Sequence, residues 1–406
     1  MGKKGVVRHL EEVGGFRAAT LKANIRDWEK ARDDLALIVA DSPAAAAGVF
    51  TRSRAAAAPV TLDRRHLKAS AGLARAVLVN AGVANACTGR PGAAAALASA
   101  KQLATLLGAP PEQVLVASTG VIGRQLPREK MQEGINKIVP RLGHTRPGAF
   151  ARAILTTDLR PKESSQVLAG LEGAVIAGAC KGSGMIAPHM ATMLAFILTD
   201  AWVSPAVLQE ALARTAELTF NRVTVDGDTS TNDSLFILAS GNRSQARIDR
   251  AAGKNFDLFL EGLYGVSLDL ARQIAFDGEG ATKLVTIRVS GGASERDAKL
   301  AGRAIAESPL VKTAMFGNDP NWGRIMMAVG KSGARMVTEK TTVSLCQEVM
   351  FRQGAPVDFA PAVLSKKMRS PEVEIAVELG LGKGEAVFYT CDFSYDYVKI
   401  NADYTT

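Results

Sequence analysis

The most specific pattern in this chain is KGSGMIAPHMATMLAF, residues 181–196. Small residues, one proline and a threonine between apolar neighbours form a composition that a self-cleaving precursor can use. The Thr192 hydroxyl can attack the Ala191 carbonyl to give an ester, and hydrolysis of that ester leaves Thr192 with a free α-amine. Because an α-amine has a pKa of about 7.7–8.0, it can serve as general base for the adjacent hydroxyl near neutral pH. The pattern alone also fits an ordinary strand threonine.

The same stretch contains GSGMIA, residues 182–187, which matches the glycine pattern of dinucleotide-binding folds. Pro188 lies where the helix of that motif would continue, and Asp200 follows too soon to complete a strand-helix-strand unit. His189 stands beside Pro188 in an apolar run, where a structural histidine is the more common case. We therefore expect neither a nicotinamide cofactor nor an imidazole base.

Outside this stretch, the chain has the composition of a folded globular protein. Of its 406 residues, 47% are hydrophobic and 22% are charged, which allows a large core in one or two domains. Apolar runs predict strands at 76–80, 114–117, 193–198, 235–239, 284–289 and 373–377, and helices near 93–107, 204–219, 252–275 and 295–307. This mixture predicts an α/β or α+β layered fold.

The formal net charge of +9 favours acidic partners, which include nucleic acids, anionic membranes and small acidic ligands. Aromatic residues make up only 5% of the chain and the basic clusters are short, so a base-stacking surface is not indicated. Residues 182–199 carry no formal charge, but their glycines and proline make a membrane-spanning helix a poor interpretation. We expect no nucleic acid and no membrane among the partners.

The four cysteines, Cys87, Cys180, Cys346 and Cys391, form neither a CxxC pair nor a Cys/His ligand pattern. Neither a zinc site nor a disulfide framework is indicated, and reduced thiols are expected. The first five residues lead into charged rather than apolar sequence, so we expect no secretion signal and a cytoplasmic location.

Polar, glycine-rich sequence interrupts the predicted elements in four places, at residues 80–85, 118–123, 225–233 and 316–324. Such loops often carry binding and catalytic residues. Any one of them alone would be interpreted as a turn, but four in one chain favour an enzyme. The acidic residues of 225–233 lack the EF-hand spacing, and we interpret them as structural.

The 181–196 stretch closely resembles the autoproteolysis site of the ornithine acetyltransferase family, the glutamate N-acetyltransferases of the cyclic arginine pathway. The resemblance covers nearly the whole chain in ordered blocks, which are Phe50-Thr51, NAGVANACTG at 80–89, STGVIG at 118–123, TTD at 156–158, DGDTSTND at 226–233, GNDPNWGR at 317–324, Cys391-Asp392 and YDYVKIN at 395–401. An ordered series of blocks is far more specific than one short motif.

The resemblance implies a layered sandwich of helices and sheets, the N-terminal-nucleophile-type fold that ornithine acetyltransferases share with related aminopeptidases. It implies self-cleavage between Ala191 and Thr192, which divides the chain into an α chain of residues 1–191 and a β chain of residues 192–406. The two chains are expected to remain together and to assemble as an α2β2 heterotetramer.

The resemblance further implies the reaction. Thr192 would take an acetyl group from N-acetylornithine, release ornithine and pass the acetyl group to glutamate in a ping-pong cycle, as a step of arginine biosynthesis. No metal and no cofactor are expected. Acetyl-CoA is an optional second acetyl donor, because family members that use it and members that do not share these motifs.

The resemblance also assigns site residues. Thr119 and Gly120 match the oxyanion-hole pair, in which a hydroxyl and a backbone N–H stabilise the tetrahedral intermediate. The matching substrate-binding positions are Thr156, Lys181, Thr192, Glu279, Asn401 and Thr406. Lys181 suits a carboxylate and Glu279 suits an ammonium group. Thr157, adjacent to Thr156, is an alternative ligand.

Two other functions remain open from the sequence. An aminopeptidase or amide hydrolase of the same fold would release free acetate or an amino acid without requiring glutamate. An uncleaved protein would bind amino acids or partners without turning them over.

Overall fold

The structure is a computed structural model that describes residues 9–27, 31–187, 193–242 and 246–403. Its strands are β1 Phe16–Leu21, β2 Leu35–Phe50, β3 Leu73–Val83, β4 Val114–Val121, β5 Lys162–Leu168, β6 Ala174–Lys181, β7 Leu194–Thr199, β8 Ser234–Ala239, β9 Leu284–Gly292, β10 Thr342–Leu345, β11 Glu348–Arg352, β12 Ala355–Pro356, β13 Glu372–Glu378 and β14 Gly384–Cys391. Its helices are α1 Ala58–Ala69, α2 Gly89–Leu107, α3 Arg128–Ile138, α4 Ala149–Ala153, α5 Pro205–Leu218, α6 Lys254–Phe276, α7 Glu295–Ala306, α8 Pro309–Gly317, α9 Trp322–Gly330, α10 Pro361–Lys367 and α11 Tyr395–Asp403.

The larger sheet has the strand order β4-β3-β2-β8-β7-β6-β5, and β1 also pairs with β2. The pairs β3–β4 and β7–β8 are parallel, and the other pairs are antiparallel. Strand β2 joins the two halves of the sheet, because residues 35–39 and 44–45 pair with β3 and residues 45–50 pair with β8. A register shift between Val39 and Ala44 lies between these two parts.

A hydrophobic core lies between the two halves of this sheet, since it combines residues of β2, β3 and β4 with residues of β6, β7 and β8. Phe196 and Leu198 of β7 pack in this core, whereas Ala195 and Ile197 pack on the opposite face with α5 and α6. The β1–β4 half packs through its other face against α2 and α3. The layers therefore run helix, sheet, sheet, helix, which confirms the predicted layered sandwich.

The second sheet has the strand order β12-β11-β10-β13-β9-β14. Strands β9 and β13 are parallel neighbours, with Ile287 opposite Ile375. A separate apolar core joins this sheet to α7, α8 and α9. An isolated bridge between Val223 and Tyr389 connects β14 to the segment after α5.

The elements predicted from apolar periodicity are confirmed, because every predicted strand and helix overlaps an observed one. The alanine-rich helix α2 ends at Leu107, and Gly108 follows with a φ of 61°, the left-handed conformation that commonly closes a helix. None of the helices in the described ranges combines the length and apolarity needed to cross a bilayer.

The predicted division between residues 191 and 192 falls between β6 and β7, which are hydrogen-bonded neighbours. Strand β8, from the predicted β chain, also pairs with β2, from the predicted α chain. Both segments therefore contribute to one sheet and one core, so two chains produced at that point would share extensive backbone pairing. The division itself stays a prediction.

Candidate active site

A cleft of about 380 Å³ lies among the ends of β4 and β6, the loop before β8 and the C-terminal helix α11. Most of its lining residues have polar or charged side chains, and they come from distant parts of the chain. The lining residues are Ala84, Thr119, Gly120, Ile122, Thr156, Thr157, Lys181, Gly184, Met185, Asp226, Asp228, Thr229, Ser230, Thr231, Asn232, Glu279, Tyr397 and Asn401. The cleft therefore brings together three of the four polar loops.

Thr119 and Gly120 lie on β4, where Gly120 pairs with Gly82 of β3. Gly120 has a φ of 130°, and a Cβ added there would lie 2.2 Å from the Gly82 carbonyl carbon. Only glycine fits this close approach of two backbones. Asn232 fixes the same region, because its side-chain amide donates to the carbonyls of Ala84 at 2.6 Å and Ser118 at 2.8 Å.

Lys181, at the end of β6, is buried, with 3% of its side chain exposed. Its Nζ lies 3.7 Å from Asp158 Oδ2. Burial lowers the pKa of Lys181, and the Asp158 carboxylate acts in the opposite direction. Burial acts to raise the pKa of Asp158, but the charges of Lys181 and Lys162 outweigh it and hold that pKa well below its usual range. Asp158 is therefore ionised at neutral pH.

Asp158 is the centre of a buried polar network that reaches two walls of the cleft. Its Oδ1 accepts hydrogen bonds from Lys162 Nζ at 2.7 Å and from the Gly182 N–H at 2.7 Å. Its Oδ2 accepts from the Thr156 N–H at 3.2 Å. Lys162 is fully buried and pairs with Asp277 as well, at 2.6 Å. The network fixes Thr156 relative to the end of β6.

Glu279 is held from two sides. Its Oε2 accepts a hydrogen bond from Asn401 Nδ2 at 3.0 Å, and its backbone N–H donates to the Ser183 carbonyl at 2.9 Å. A Cβ added at Gly184 would lie 2.3 Å from the Glu279 carboxylate, so this carboxylate packs directly against the glycine backbone. The cleft thus presents a carboxylate at Glu279 and an ammonium at Lys181, a charge pattern suited to an amino acid.

The loop before β8 contacts residues that precede and residues that follow positions 188–192. Asp226 accepts hydrogen bonds from the backbone N–H groups of Met185 at 2.6 Å and Ile186 at 2.8 Å. Asp233 accepts from the Met193 N–H at 3.0 Å. Burial raises the pKa of Asp226 to about 6 and raises that of Asp233 well above its ordinary value. These contacts agree with the structural interpretation of the two carboxylates.

Three predicted site residues, Ala191, Thr192 and Thr406, lie outside the described residues, as does His189. The predicted cleavage point and nucleophile therefore stay predictions. Met193, the residue after Thr192, leads directly into β7, and its carbonyl accepts from the Ser234 N–H at 3.2 Å.

One group of side chains in the described ranges could share a metal ion, formed by His9, Glu11 and Glu163. It does not line the cleft, and its members have protein partners. His9 Nδ1 lies 3.0 Å from Glu163 Oε1, and Glu11 accepts from the Phe150 N–H at 2.8 Å. The expectation that the reaction needs no metal or cofactor stays a prediction.

Comparison with known proteins identifies the family. A sequence model of the ArgJ family matches residues 17–406. The chain belongs to the ArgJ family. The arginine biosynthesis bifunctional protein ArgJ of Thermus thermophilus is 48% identical over 393 residues, which cover 97% of this chain and 98% of that protein. The protein of the same name from Deinococcus radiodurans is 48% identical over 395 residues, with 97% of each chain covered.

A solved ArgJ structure, from Bacillus halodurans, is similar with a TM-score of 0.50 and 40% sequence identity, and it covers 52% of this chain and 98% of the solved chain. At that identity, the similarity supports both the fold and the family. Membership of the ArgJ family confirms the resemblance read from the sequence blocks, and the predicted fold class is confirmed with it.

The described site residues predicted for the ArgJ chain lie in one cleft, which brings together Thr119, Gly120, Thr156, Lys181, Glu279 and Asn401. Their individual roles stay predictions. Thr157 lines the cleft beside Thr156, so position does not choose between the two.

The fourth polar stretch lies at two helix ends. Residues 316–324 are not among the lining residues of the cleft and comprise the end of α8, the connection and the start of α9. Asn318 ends α8 in the left-handed conformation, with a φ of 53°, and Asn321 caps α9 by accepting from the Arg324 N–H at 3.1 Å. Their polarity therefore serves helix ends, because capping and site loops use the same residue types.

Sequence reasoning missed the buried partners of the site, Asp158, Lys162 and Asp277, and the cleft residue Tyr397. Asp158 and Tyr397 lie within the matched blocks, so block membership was a signal for both. Lys162 carried no such signal, because a lone lysine at the start of a polar strand is usually exposed.

Proposed function

We propose that this ArgJ-family enzyme transfers an acetyl group from N-acetylornithine to glutamate, through an acetyl ester on Thr192. The relatives bear the name arginine biosynthesis bifunctional protein, which supports this assignment. The observation that carries the proposal is the single cleft in which predicted residues from position 119 to position 401 meet. Six predicted site residues from separate elements would not be expected to meet in one cleft by chance.

In the proposed first half-reaction, the Thr192 hydroxyl oxygen attacks the acetyl carbonyl carbon and its proton passes to the Thr192 α-amine. The Thr119 hydroxyl and the Gly120 N–H would donate to the resulting oxyanion. The carbon–nitrogen bond then breaks, and the departing ornithine nitrogen takes up the proton. In the second half-reaction, the glutamate amine attacks the ester and the Thr192 hydroxyl is restored.

Substrate binding in this proposal uses the two opposite charges of the cleft. Lys181 would contact the α-carboxylate, and Glu279 would contact an ammonium group of the substrate. Asn401 orients the Glu279 carboxylate through the 3.0 Å hydrogen bond. Donor and acceptor both carry an α-carboxylate, so Lys181 would bind each in turn, whereas Glu279 would contact the side-chain ammonium of N-acetylornithine and ornithine.

The proposal includes self-cleavage between Ala191 and Thr192 as the step that exposes the α-amine. Support comes from Asp226 and Asp233, which hold the described residues on the two sides of that bond. Support also comes from the shared sheet, because β6 and β7 remain paired after a cut between them. We further propose association of two such pairs as an α2β2 assembly and acetyl-CoA as an optional second donor.

The first test is denaturing mass spectrometry of freshly purified protein, before and after incubation with N-acetylornithine. We expect two fragments that meet at Ala191 and Thr192, and an added acetyl mass on the Thr192 fragment alone. Glutamate should remove this acetyl group and produce N-acetylglutamate. Acetyl-CoA in place of N-acetylornithine tests the second donor.

The matched variants are Thr192→Ala and Thr229→Ala, since Thr229 is an exposed threonine that lines the same cleft. Thr192→Ala should remain a single chain without an acetyl adduct, and Thr229→Ala should be cleaved and acetylated. Cleavage and transfer that persist in Thr192→Ala would overturn the proposal. Release of free acetate without glutamate would favour an amide hydrolase instead.

A further inference from the structure

A second, larger cavity lies outside the cleft and has a volume of about 630 Å³. It forms where Thr20, Lys22, Arg32 and Asp33 meet residues of the 141–152 stretch. Its basic side chains are Lys22, Arg32, Arg141, His144, Arg146 and Arg152. Asp33 is the only acidic residue of its described lining, and this carboxylate accepts a hydrogen bond from the Thr20 hydroxyl at 2.7 Å.

Most of these cations lack a carboxylate partner in the described part of the chain. Lys22, Arg141 and Arg146 form no ion pair there, and Arg152 donates to the Pro147 carbonyl at 3.2 Å rather than to an acid. Nearby surface cations behave differently, since Arg17 pairs with Asp41 at 2.9 Å. Like charges that converge on one cavity repel each other, and a bound anion would relieve that repulsion.

Arg32 contacts the backbone segment that lies between this cavity and the cleft. Its guanidinium donates to the carbonyls of Arg152 at 3.1 Å and Leu155 at 2.9 Å. Leu155 directly precedes Thr156, which lines the cleft. The two cavities are therefore connected through one short segment of backbone.

We propose that this cavity binds a small molecule that carries two or more phosphate groups, of about the size of a nucleoside diphosphate. Four of the basic side chains are arginines, whose planar guanidinium matches phosphate oxygens in a two-point geometry. The volume lies within the range of about 300–1,000 Å³ that is typical of small-molecule sites. The described lining contains no Phe, Tyr or Trp side chain, so an extended base-stacking surface for a nucleic-acid strand is absent from it.

This inference does not depend on the proposed acetyl transfer, because binding is measured without turnover. The probes are ADP, pyrophosphate and inorganic phosphate, with adenosine as the uncharged control, in isothermal titration calorimetry of the full chain. We expect ADP and pyrophosphate to bind more tightly than inorganic phosphate and adenosine not to bind. Affinity should fall as salt is raised, because screening weakens exposed charge interactions.

The test variant is the double substitution Arg141→Gln and Arg146→Gln. Both side chains are exposed, and neither has a side-chain hydrogen bond or ion pair to lose in the described ranges. The matched control is Lys366→Gln with Arg369→Gln, which removes the same charge from exposed residues near α10. We expect a loss of about tenfold or more in ADP affinity for the test variant, as for lost charge-assisted contacts, and a loss of about twofold or less for the control.

Absence of ADP and pyrophosphate binding by the unmodified protein would overturn the inference. Equal affinity in the test variant and the control would overturn it as well. Thermal unfolding of both variants checks that they are folded, and Lys22→Gln provides a further single-charge variant of the same cavity.

The bound phosphate groups belong either to an acyl-carrying co-substrate or to a free nucleotide, and enzyme kinetics distinguishes these two cases. If the nucleotide part of an acyl-carrying co-substrate binds here, the test variant should lower kcat/KM with acetyl-CoA by about tenfold and leave N-acetylornithine-dependent transfer unchanged. If a free nucleotide binds here as an effector, ADP should alter N-acetylornithine-dependent transfer in the unmodified protein and not in the test variant. Both kinetic outcomes require that phosphate groups bind in this cavity.

Discussion

Asp226 and Asp233 hold opposite sides of the segment that contains the predicted cleavage bond. Asp226 accepts from the backbone of Met185 and Ile186, and Asp233 accepts from the Met193 N–H at 3.0 Å. Both carboxylates belong to the loop before β8, so one loop sets the position of the chain before and after residues 188–192. An intramolecular attack requires such positioning, because reacting groups must be held near each other and correctly aligned.

Asp233→Ala should slow self-cleavage by about tenfold or more. The substitution leaves the buried Met193 N–H without its acceptor, a loss of about 1–3 kcal/mol in the positioning of that end. The matched control is Asp228→Ala, because Asp228 is exposed on the same loop. The rate of fragment appearance after synthesis, followed by mass spectrometry, measures the effect. Cleavage of a folded Asp233→Ala chain at the unmodified rate would contradict the positioning role.

Asp158→Asn should lower the free energy of unfolding by about 3–5 kcal/mol, because the buried cations Lys162 and Lys181 would lose the carboxylate that lies beside both of them. Adding Lys162→Met should recover part of this loss, since it removes one of the two buried cations. Urea unfolding of the two single variants and the double variant measures the coupling. Strictly additive losses would exclude the coupled network.

The pH dependence of stability should include a contribution from Asp226. Its pKa is about 6 in the folded protein and about 3.9 in an unfolded chain, so the folded state binds the proton more tightly. Between about pH 4 and pH 6 this group therefore makes the protein less stable as pH rises, by on the order of 3 kcal/mol in total. Above pH 6 its contribution is constant.

Asp226→Asn isolates this contribution, because asparagine does not titrate. We expect the difference in unfolding free energy between the unmodified protein and the variant to fall from pH 4.5 to pH 6.5. The size of this fall is set by the difference between the Asp226 pKa in the folded and the unfolded protein. Urea unfolding at three pH values in this window gives the slope. The same difference at all three values would mean that the Asp226 pKa is not raised.

Gly120→Ala should reduce transfer by about 10²–10³-fold, the usual loss when an oxyanion donor is displaced. The new Cβ would collide with the Gly82 backbone and push the two strands apart. Gly123→Ala is the matched control, because Gly123 also has a positive φ, of 81°, but has open space at its Cβ position. The control should lose only about 1 kcal/mol of stability and retain activity. Equal activity loss in both variants would assign the effect to backbone strain.

The sequence alone predicted the family, and it predicted six of the fourteen strands and four of the eleven helices that the described residues form. Apolar periodicity is a local property, so runs such as 235–239 and 284–289 predicted strands correctly without knowledge of their neighbours. The family resemblance predicted six of the residues that line the cleft, which are Thr119, Gly120, Thr156, Lys181, Glu279 and Asn401. Local sequence does not distinguish the asparagines that cap α8 and α9 from site residues, because helix caps and site loops use the same residue types.

The tertiary structure alone decided which charges meet. Lys162 starts β5, Asp277 follows α6 and Asp158 precedes β5, and the packing of α6 on the sheet makes them partners. The basic cavity likewise joins Lys22 and Arg32 to residues of the 141–152 stretch. Hydrophobic periodicity records which face of an element is buried, whereas the pairing of charges depends on distances between elements that no local pattern contains.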